Sequence, residues 1–318
     1  MAAATRIFFV ADLHGSAICW RKFVNAAKVY RANVLLVGGD IAAKTMTPIF
    51  ELNGAWSVTV EGEERRARNP EELERLEAWV RDSATVPFRT EPKTWRELIA
   101  DRGRADQKFQ DLELEELRRW LELAKHRLAG TGARLLLGLG NDDFTSMESV
   151  IEGDGFAELT DSAIRSIDDR HELLTLPFSN PTPWRTNREI SEVEIAARID
   201  ADAAKLRDVR RTVFNLHVPP FNTPLDLAPR LDASLTKVMT PGGEAEMIHV
   251  GSTAVRAAIE RYQPLLGLHG HIHESKGSVT IGRTTVLNPG SAYTEATLLG
   301  TVVDLGPDGI RATMMTTG

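Results

Sequence analysis

Cysteine is nearly missing from this chain: Cys19 is the single one in 318 residues, so no internal disulfide framework holds the fold together. Long apolar runs are missing too. No stretch approaches the roughly 20 consecutive apolar residues of a membrane-spanning helix, which argues against an integral membrane protein. Positive charge is in deficit, with 38 Lys and Arg against 45 Asp and Glu and a net charge of -7. Duplex nucleic acid and anionic lipid both select a cationic face, so neither is an expected partner. The local basic group Arg65, Arg66 and Arg68 reads as a solvated helix face. Near the start, the IFFV run at 7 to 10 is too short for a secretion signal and lacks a basic leader, which makes the cytoplasm the expected address.

What the chain does have is an ordinary globular core composition, 42% hydrophobic. RIFFVADLHG reads as a strand running into a loop, WRKFVNAAKVYRA as a helix, and NVLLVGGD as a second strand. From about residue 50 to 130 the character changes, to a hairpin at WSVTVEGEERRA and two charge-laced helices, EELERLEAWVRD and DLELEELRRWLELAKHRLAG. This is an insertion in a single domain spanning 1 to 318, and Trp56, Trp79, Trp95 and Trp120 give it residues to pack with. A polar helix is expected near 188 to 207 and another at TAVRAAIERY, and the segments SVTI, RTTVLN, ATLLGTVVDL and GIRATMM read as a closing meander of strands.

Polar residues recur just past the apolar strands, where α/β proteins usually place their chemistry. RLLLGLGNDDF, 134 to 144, runs into Asn141, Asp142 and Asp143; Thr145 and Glu148 stand at capping-box spacing for a following helix. TVFNL runs into His217, and PLLGL into HGHIHES. In order, the strand-end residues are Asp12, His14, Asp40, Asn141, His217, His271 and His273. Carboxylate, amide and imidazole donors together suit Mn, Fe, Zn or Mg rather than soft ions. Seven ligands are too many for one tetrahedral site and suit two ions sharing a carboxylate, with water at the open positions.

DLH at 12 to 14, GGD at 38 to 40, GND at 140 to 142, LHVPP at 216 to 220, GHIH at 270 to 273 and NPGS at 288 to 291 follow one another in a familiar order. In this the chain resembles the calcineurin-like metallophosphoesterases, over nearly its whole length outside the 50 to 130 insertion. The resemblance implies an α/β fold, a two-sheet β-sandwich flanked by helices in four α/β/β/α layers. It implies that Asp12, His14 and His273 hold one divalent ion, that Asn141, His217 and His271 hold another, and that Asp40 bridges them. Manganese is the first expectation, with Fe, Zn or Mg as alternatives. It further implies in-line attack on phosphorus by a hydroxide formed between the ions, on a small phosphoester.

One position departs from the pattern. The family has a histidine after the metal-binding asparagine, where it assists the leaving group; this chain has Asp142. A carboxylate performs that task only if held protonated, and capping the helix near Thr145 is an equally good reading of it. An enzyme so altered is expected to favour activated phosphoesters, or diesters whose leaving group needs little protonation. A scaffold that keeps the fold and the metals but little turnover is the alternative function, and a nuclease on long nucleic acid is disfavoured by the acidic balance. His269 is read as packing or as support for the ligands, His249 as packing, and His126 as solvent-facing.

Overall fold

The computed structural model describes residues 4–161 and 163–318. Two six-stranded sheets form its centre. The first has the strand order Gly309–Thr317, Leu299–Gly306, Thr5–Val10, Val34–Gly38, Arg134–Gly138 and Glu158–Leu159. The second runs Gly277–Ile281, Thr284–Asn288, Leu266–Leu268, Thr212–Leu216, Glu172–Leu176 and Arg165–Ser166. In each sheet the inner strands pair in parallel. Antiparallel pairing closes one edge of the first sheet and both edges of the second.

The layering follows from the period of two in the strands. Ile7 and Phe9 turn inward, where they meet Val34, Leu36 and Leu136 of their own sheet and Leu173, Val213, Leu266 and Leu287 of the other. Phe8, Val10, Leu35, Val37, Leu135 and Leu137 turn outward, onto Trp20, Phe23, Trp120, Leu121 and Met147 of the covering helices. On the far side, Leu174, Phe214, Leu216 and Val286 pack against Ile195, Ile199, Val255 and Ile259. Both faces of the parallel strands are thus dry, which is why they read as continuous apolar runs. The result is the four-layered α/β/β/α sandwich.

The last four strands form two hairpins, not one meander. Gly277–Ile281 and Thr284–Asn288 finish the second sheet, whereas Leu299–Gly306 and Gly309–Thr317 cross back to the first. Local alternation marks a strand but carries no information about which sheet accepts it.

Between Val34–Gly38 and Arg134–Gly138 lies the insertion. The hairpin Ala55–Val60 with Glu63–Ala67 is joined by Met46–Leu52 and Val86–Thr90 into a four-stranded sheet, covered by the helices Pro70–Asp82, Pro92–Ile99 and Arg102–Leu128. The two additional strands carry Pro48 and Pro87, which weaken a strand reading. Arg65 and Arg66 stand on a strand instead of a helix, paired with Glu63 and Glu64, and Arg65 lies over the Trp79 ring. Trp120 belongs to the main body: its ring stacks on Trp20 at 4.8 Å, and its carbonyl accepts from the Trp20 indole at 3.0 Å. Among the described residues no helix is long and apolar enough to cross a membrane.

Candidate metal centre

Parallel strands of both sheets end at the same edge of the sandwich, and their trailing loops are tied together by backbone hydrogen bonds. Asp12 N–H donates to Gly39 O at 2.9 Å, His14 N–H to Asp40 O at 3.0 Å, and Gly270 N–H to His217 O at 2.9 Å. Asp12, His14, Asp40 and His271 all take left-handed backbone, with φ of 58°, 41°, 55° and 67°. That conformation costs a residue with a Cβ roughly 1–3 kcal/mol and persists where the surroundings dictate it, as at binding sites. Gly39, at φ 128°, and Gly140 allow the loops to meet: a Cβ on the first would strike His217, and on the second Asp40.

Six of the expected ligands therefore converge. Asp12, His14 and His273 form one set whose donor atoms lie within 4.8 Å of each other, and Asp40, His217 and His271 form a second. The sets are joined: His217 Nε2 is 3.3 Å from Asp40 Oδ2 and 3.9 Å from Asp12 Oδ1, and His14 Nε2 is 3.6 Å from Asp40 Oδ2. A third set within the same limit is His14, Asp40 and Asp142. Asn141, on the loop beyond Arg134–Gly138, is buried at 3% exposure. That loop is tied to Asp40, whose Oδ1 accepts the Asp142 N–H at 3.0 Å.

The electrostatics are those of a dry, strongly coupled cluster. Burial holds His14 well below the ordinary imidazole range, and it brings His271 to about 3 and His273 to about 4. Burial raises Asp12 to about 7. For His217 burial acts downward but is outweighed by Asp40 and Asp12, which raise it to about 10. Asp40, despite burial, is held well below its usual value, chiefly by His217.

Donors at this spacing fit a divalent cation. Asn141 Oδ1, His14 Nδ1 and His217 Nε2 are buried without a hydrogen-bond partner, in a protein where such atoms are normally satisfied. His14 Nε2 and His273 Nε2 face each other at 3.0 Å, and two neutral imidazole nitrogens so close need a proton or cation between their lone pairs. The Asp40 and Asp12 charges that raise His217 equally favour a cation beside it.

Several supporting residues carry no recognisable sequence signal. Asn141 Nδ2 donates to Thr186 Oγ1 at 2.8 Å, and that hydroxyl donates to Glu189 Oε1 at 2.9 Å. The relay fixes the amide so that its oxygen is left over for a cation. Asp143 accepts the N–H groups of Ile41 at 2.9 Å, Ala42 at 2.7 Å and Gly140 at 2.8 Å, which welds the loop after Val34–Gly38 to the loop bearing Asn141. Arg188 is buried behind, bonded to Asp143 O and Glu148. Both Asp12 oxygens accept the His271 N–H, and Ser291 of the NPGS segment donates to Asp12 O at 2.6 Å.

Two readings of the sequence near Asp142 do not survive. The helix Ser146–Asp154 has Thr145 as N-cap, but no side chain caps it: Thr145 takes helical backbone (φ -59°, ψ -31°) instead of the extended conformation of a capping residue, and Glu148 is engaged by Arg188. Asp142 is not a cap either: its Oδ1 accepts from Asn141 Nδ2 at 3.1 Å, and its Oδ2 lies 3.7 Å from His14 Nδ1 and 3.4 Å from Lys44 Nζ. Burial and the Asp40 charge push Asp142 up to about 7 against the pull of Lys44. Among the other histidines, His269 is fully buried with Nδ1 on Leu216 O and Val218 O, His249 bonds Asp226 at 2.8 Å, and His126 is exposed on its helix.

No family model matches this chain. It is similar to the uncharacterized protein MJ1162 of Methanocaldococcus jannaschii, with 30% identity over 152 residues that make up 47% of this chain and 61% of the relative. The chain thus spans about three fifths of the curated relative it matches. Among solved structures, TT1561 of Thermus thermophilus superimposes with TM-score 0.53 at 12% identity over 99% of both chains. Another solved chain does so with TM-score 0.57 at 13% identity, again over 99% of both. At such identities the likeness is one of fold: the α/β/β/α sandwich is shared with both.

Proposed function

We propose that the chain is a divalent-metal-dependent phosphoesterase, a phosphodiesterase or small-molecule phosphatase acting on a small phosphoester. The observation that carries this reading is the convergence of Asp12, His14, Asp40, His217, His271 and His273 from both sheets, with the unpartnered Asn141 amide oxygen on the adjoining loop. Asp12, His14 and His273 would hold one ion, Asn141, His217 and His271 the other, and Asp40 both. Manganese is the first candidate, then Fe, Zn or Mg. When bound, such ions supply Lewis acidity, lowering the pKa of a shared water toward neutrality and offsetting phosphate charge.

The chain's own residues set the stage for that chemistry. The His271 N–H orients the Asp12 carboxylate, Thr186 orients the Asn141 amide, and the left-handed turns aim the loops inward. Asp142 stands at the cluster's margin, where burial and the Asp40 charge raise it and Lys44 lowers it, and in its protonated form it would assist a leaving group. General acid assistance of this kind contributes ~10²- to 10⁴-fold.

Asp142 also favours a second reading, a metal-holding scaffold with little turnover, since a carboxylate flanked by donors is a weak leaving-group acid. Manganese-dependent hydrolysis of a chromogenic phosphodiester separates the two. The enzyme reading predicts turnover that requires manganese and disappears in Asp40→Asn; wild-type protein that takes up manganese without turnover identifies the scaffold.

A further inference from the structure

Lys44 lies on the same loop as Asp40, four residues on, and reaches back toward the cluster. Its Nζ is 3.4 Å from Asp142 Oδ2, and that oxygen is 3.7 Å from His14 Nδ1. Its side chain remains 46% exposed, whereas that of Asp142 is 18% exposed, so the ammonium sits at the border between buried cluster and solvent. Among the described residues no other Lys or Arg forms an ion pair with Asp12, Asp40 or Asp142; those carboxylates otherwise face histidines. Arg188, buried beside Asp143, is spent on Asp143 O, Phe144 O, Glu148 and Asp161.

A half-exposed Lys–Asp pair stabilises a fold by little, with a median near 0–1 kcal/mol. Fold stability therefore gives no reason for an ammonium here, whereas its place at the open margin of the cluster does. Asp142 is itself pinned: its N–H donates to Asp40 Oδ1 at 3.0 Å, and its C=O accepts from Asn187 Nδ2 at 2.8 Å. Its Oδ1 takes the Asn141 amide, which leaves Oδ2 to hold Lys44. A tether of this kind reduces the side-chain entropy lost when the ammonium meets an anion.

We propose that Lys44 binds a non-bridging oxygen of the phosphoester and that Asp142 is the positioning residue that holds its ammonium at the mouth of the site. This rests on the phosphoesterase reading. A charged hydrogen bond from Lys44 would secure the phosphate group as a point charge, independent of what the ester carries. It therefore assigns the site a preference for the phosphate itself, with no selectivity supplied by Lys44 for the remainder of the substrate.

The test is inorganic phosphate binding by calorimetry to manganese-loaded wild type, Lys44→Met, Lys44→Arg, Asp142→Asn and the double variant, with manganese content and thermal midpoint measured on each. The expected result is that Lys44→Met keeps its manganese and its midpoint but loses phosphate affinity ~10-fold. Lys44→Arg should restore most of that loss. In the Asp142→Asn background the Lys44→Met effect should shrink to under ~3-fold, because an untethered ammonium contributes less. If manganese-loaded wild type binds phosphate and Lys44→Met binds it as tightly, this inference fails while the phosphoesterase reading stands. Manganese-loaded wild type that binds no phosphate overturns the inference as well. A Lys44→Met effect of full size in the Asp142→Asn background overturns the tether. Wild type that takes up no manganese overturns both the inference and the reading beneath it.

Discussion

Asn141 donates its amide N–H to Thr186 Oγ1 at 2.8 Å, while its own Oδ1, buried, has no partner. The hydroxyl passes its proton on to Glu189, so it is available to the amide only as an acceptor. This sense of donation fixes which end of the amide faces the cluster.

Thr186→Val removes one of the amide's two acceptors at almost constant volume and leaves only Asp142 Oδ1, at 3.1 Å, to orient it. Loss of such an outer contact typically weakens metal affinity ~10- to 100-fold. The variant should stay folded, bind manganese in that weakened range by calorimetry, and recover with Thr186→Ser. Unchanged affinity would remove Thr186 from the account.

Gly140 is the second structural prediction. A Cβ there would collide with the Asp40 side chain and backbone N and approach the His217 ring. Gly140→Ala should therefore displace the Asp40 carboxylate and lower manganese stoichiometry. Both strands that flank the collision are buried, so the unfolding midpoint is also expected to fall.

Acid stability tests the opposite end of the sandwich. Burial acts to raise Asp168, but hydrogen bonds from Thr5, His171 and the N–H groups of Arg170 and His171 outweigh it and hold the carboxylate at about 2. The folded pKa is below the unfolded value near 3.9, so this contribution is fully present above pH ~4 and is lost as pH falls from there toward 2. Asp168→Asn should be less stable at pH 6 and should show a shallower loss of stability between pH 4 and 2 in urea titrations. Parallel curves for the two proteins would contradict the assignment.

Leaving-group chemistry probes Asp142. With no histidine at this position, hydrolysis of aryl phosphoesters should exceed that of alkyl phosphoesters by a wide margin, and Asp142→His should narrow the ratio. Should neither Asp142→His nor Asp142→Asn shift the aryl-to-alkyl ratio, Asp142 takes no part in leaving-group departure.

The site was more legible in the sequence than its surroundings. Asp12, His14, Asp40, His217, His271 and His273 each sit within a few residues of an apolar run, and a short run followed by a turn is a local signal. Thr186 and Glu189 lie 45 or more residues from Asn141, just past Pro181 and Pro183, and nothing local in the sequence ties them to it. Asp143 looked like part of a polar triplet, but its three backbone partners come from two separate loops. The same limit governed the fold: alternation located Leu299–Gly306 and Gly309–Thr317, but only the contact of Thr5–Val10 with the former placed the pair in the first sheet. The expected capping box at Thr145 does not form: Thr145 itself takes helical backbone, and Arg188, distant in sequence, takes Glu148.

Metal content is the most direct test of the central claim. Purified protein given excess manganese should retain two ions per chain by elemental analysis, and anomalous scattering should place them between these histidines and carboxylates, ~3.5–4 Å apart. Protein that stays free of manganese under those conditions, or holds it elsewhere with this cluster vacant, would contradict the account.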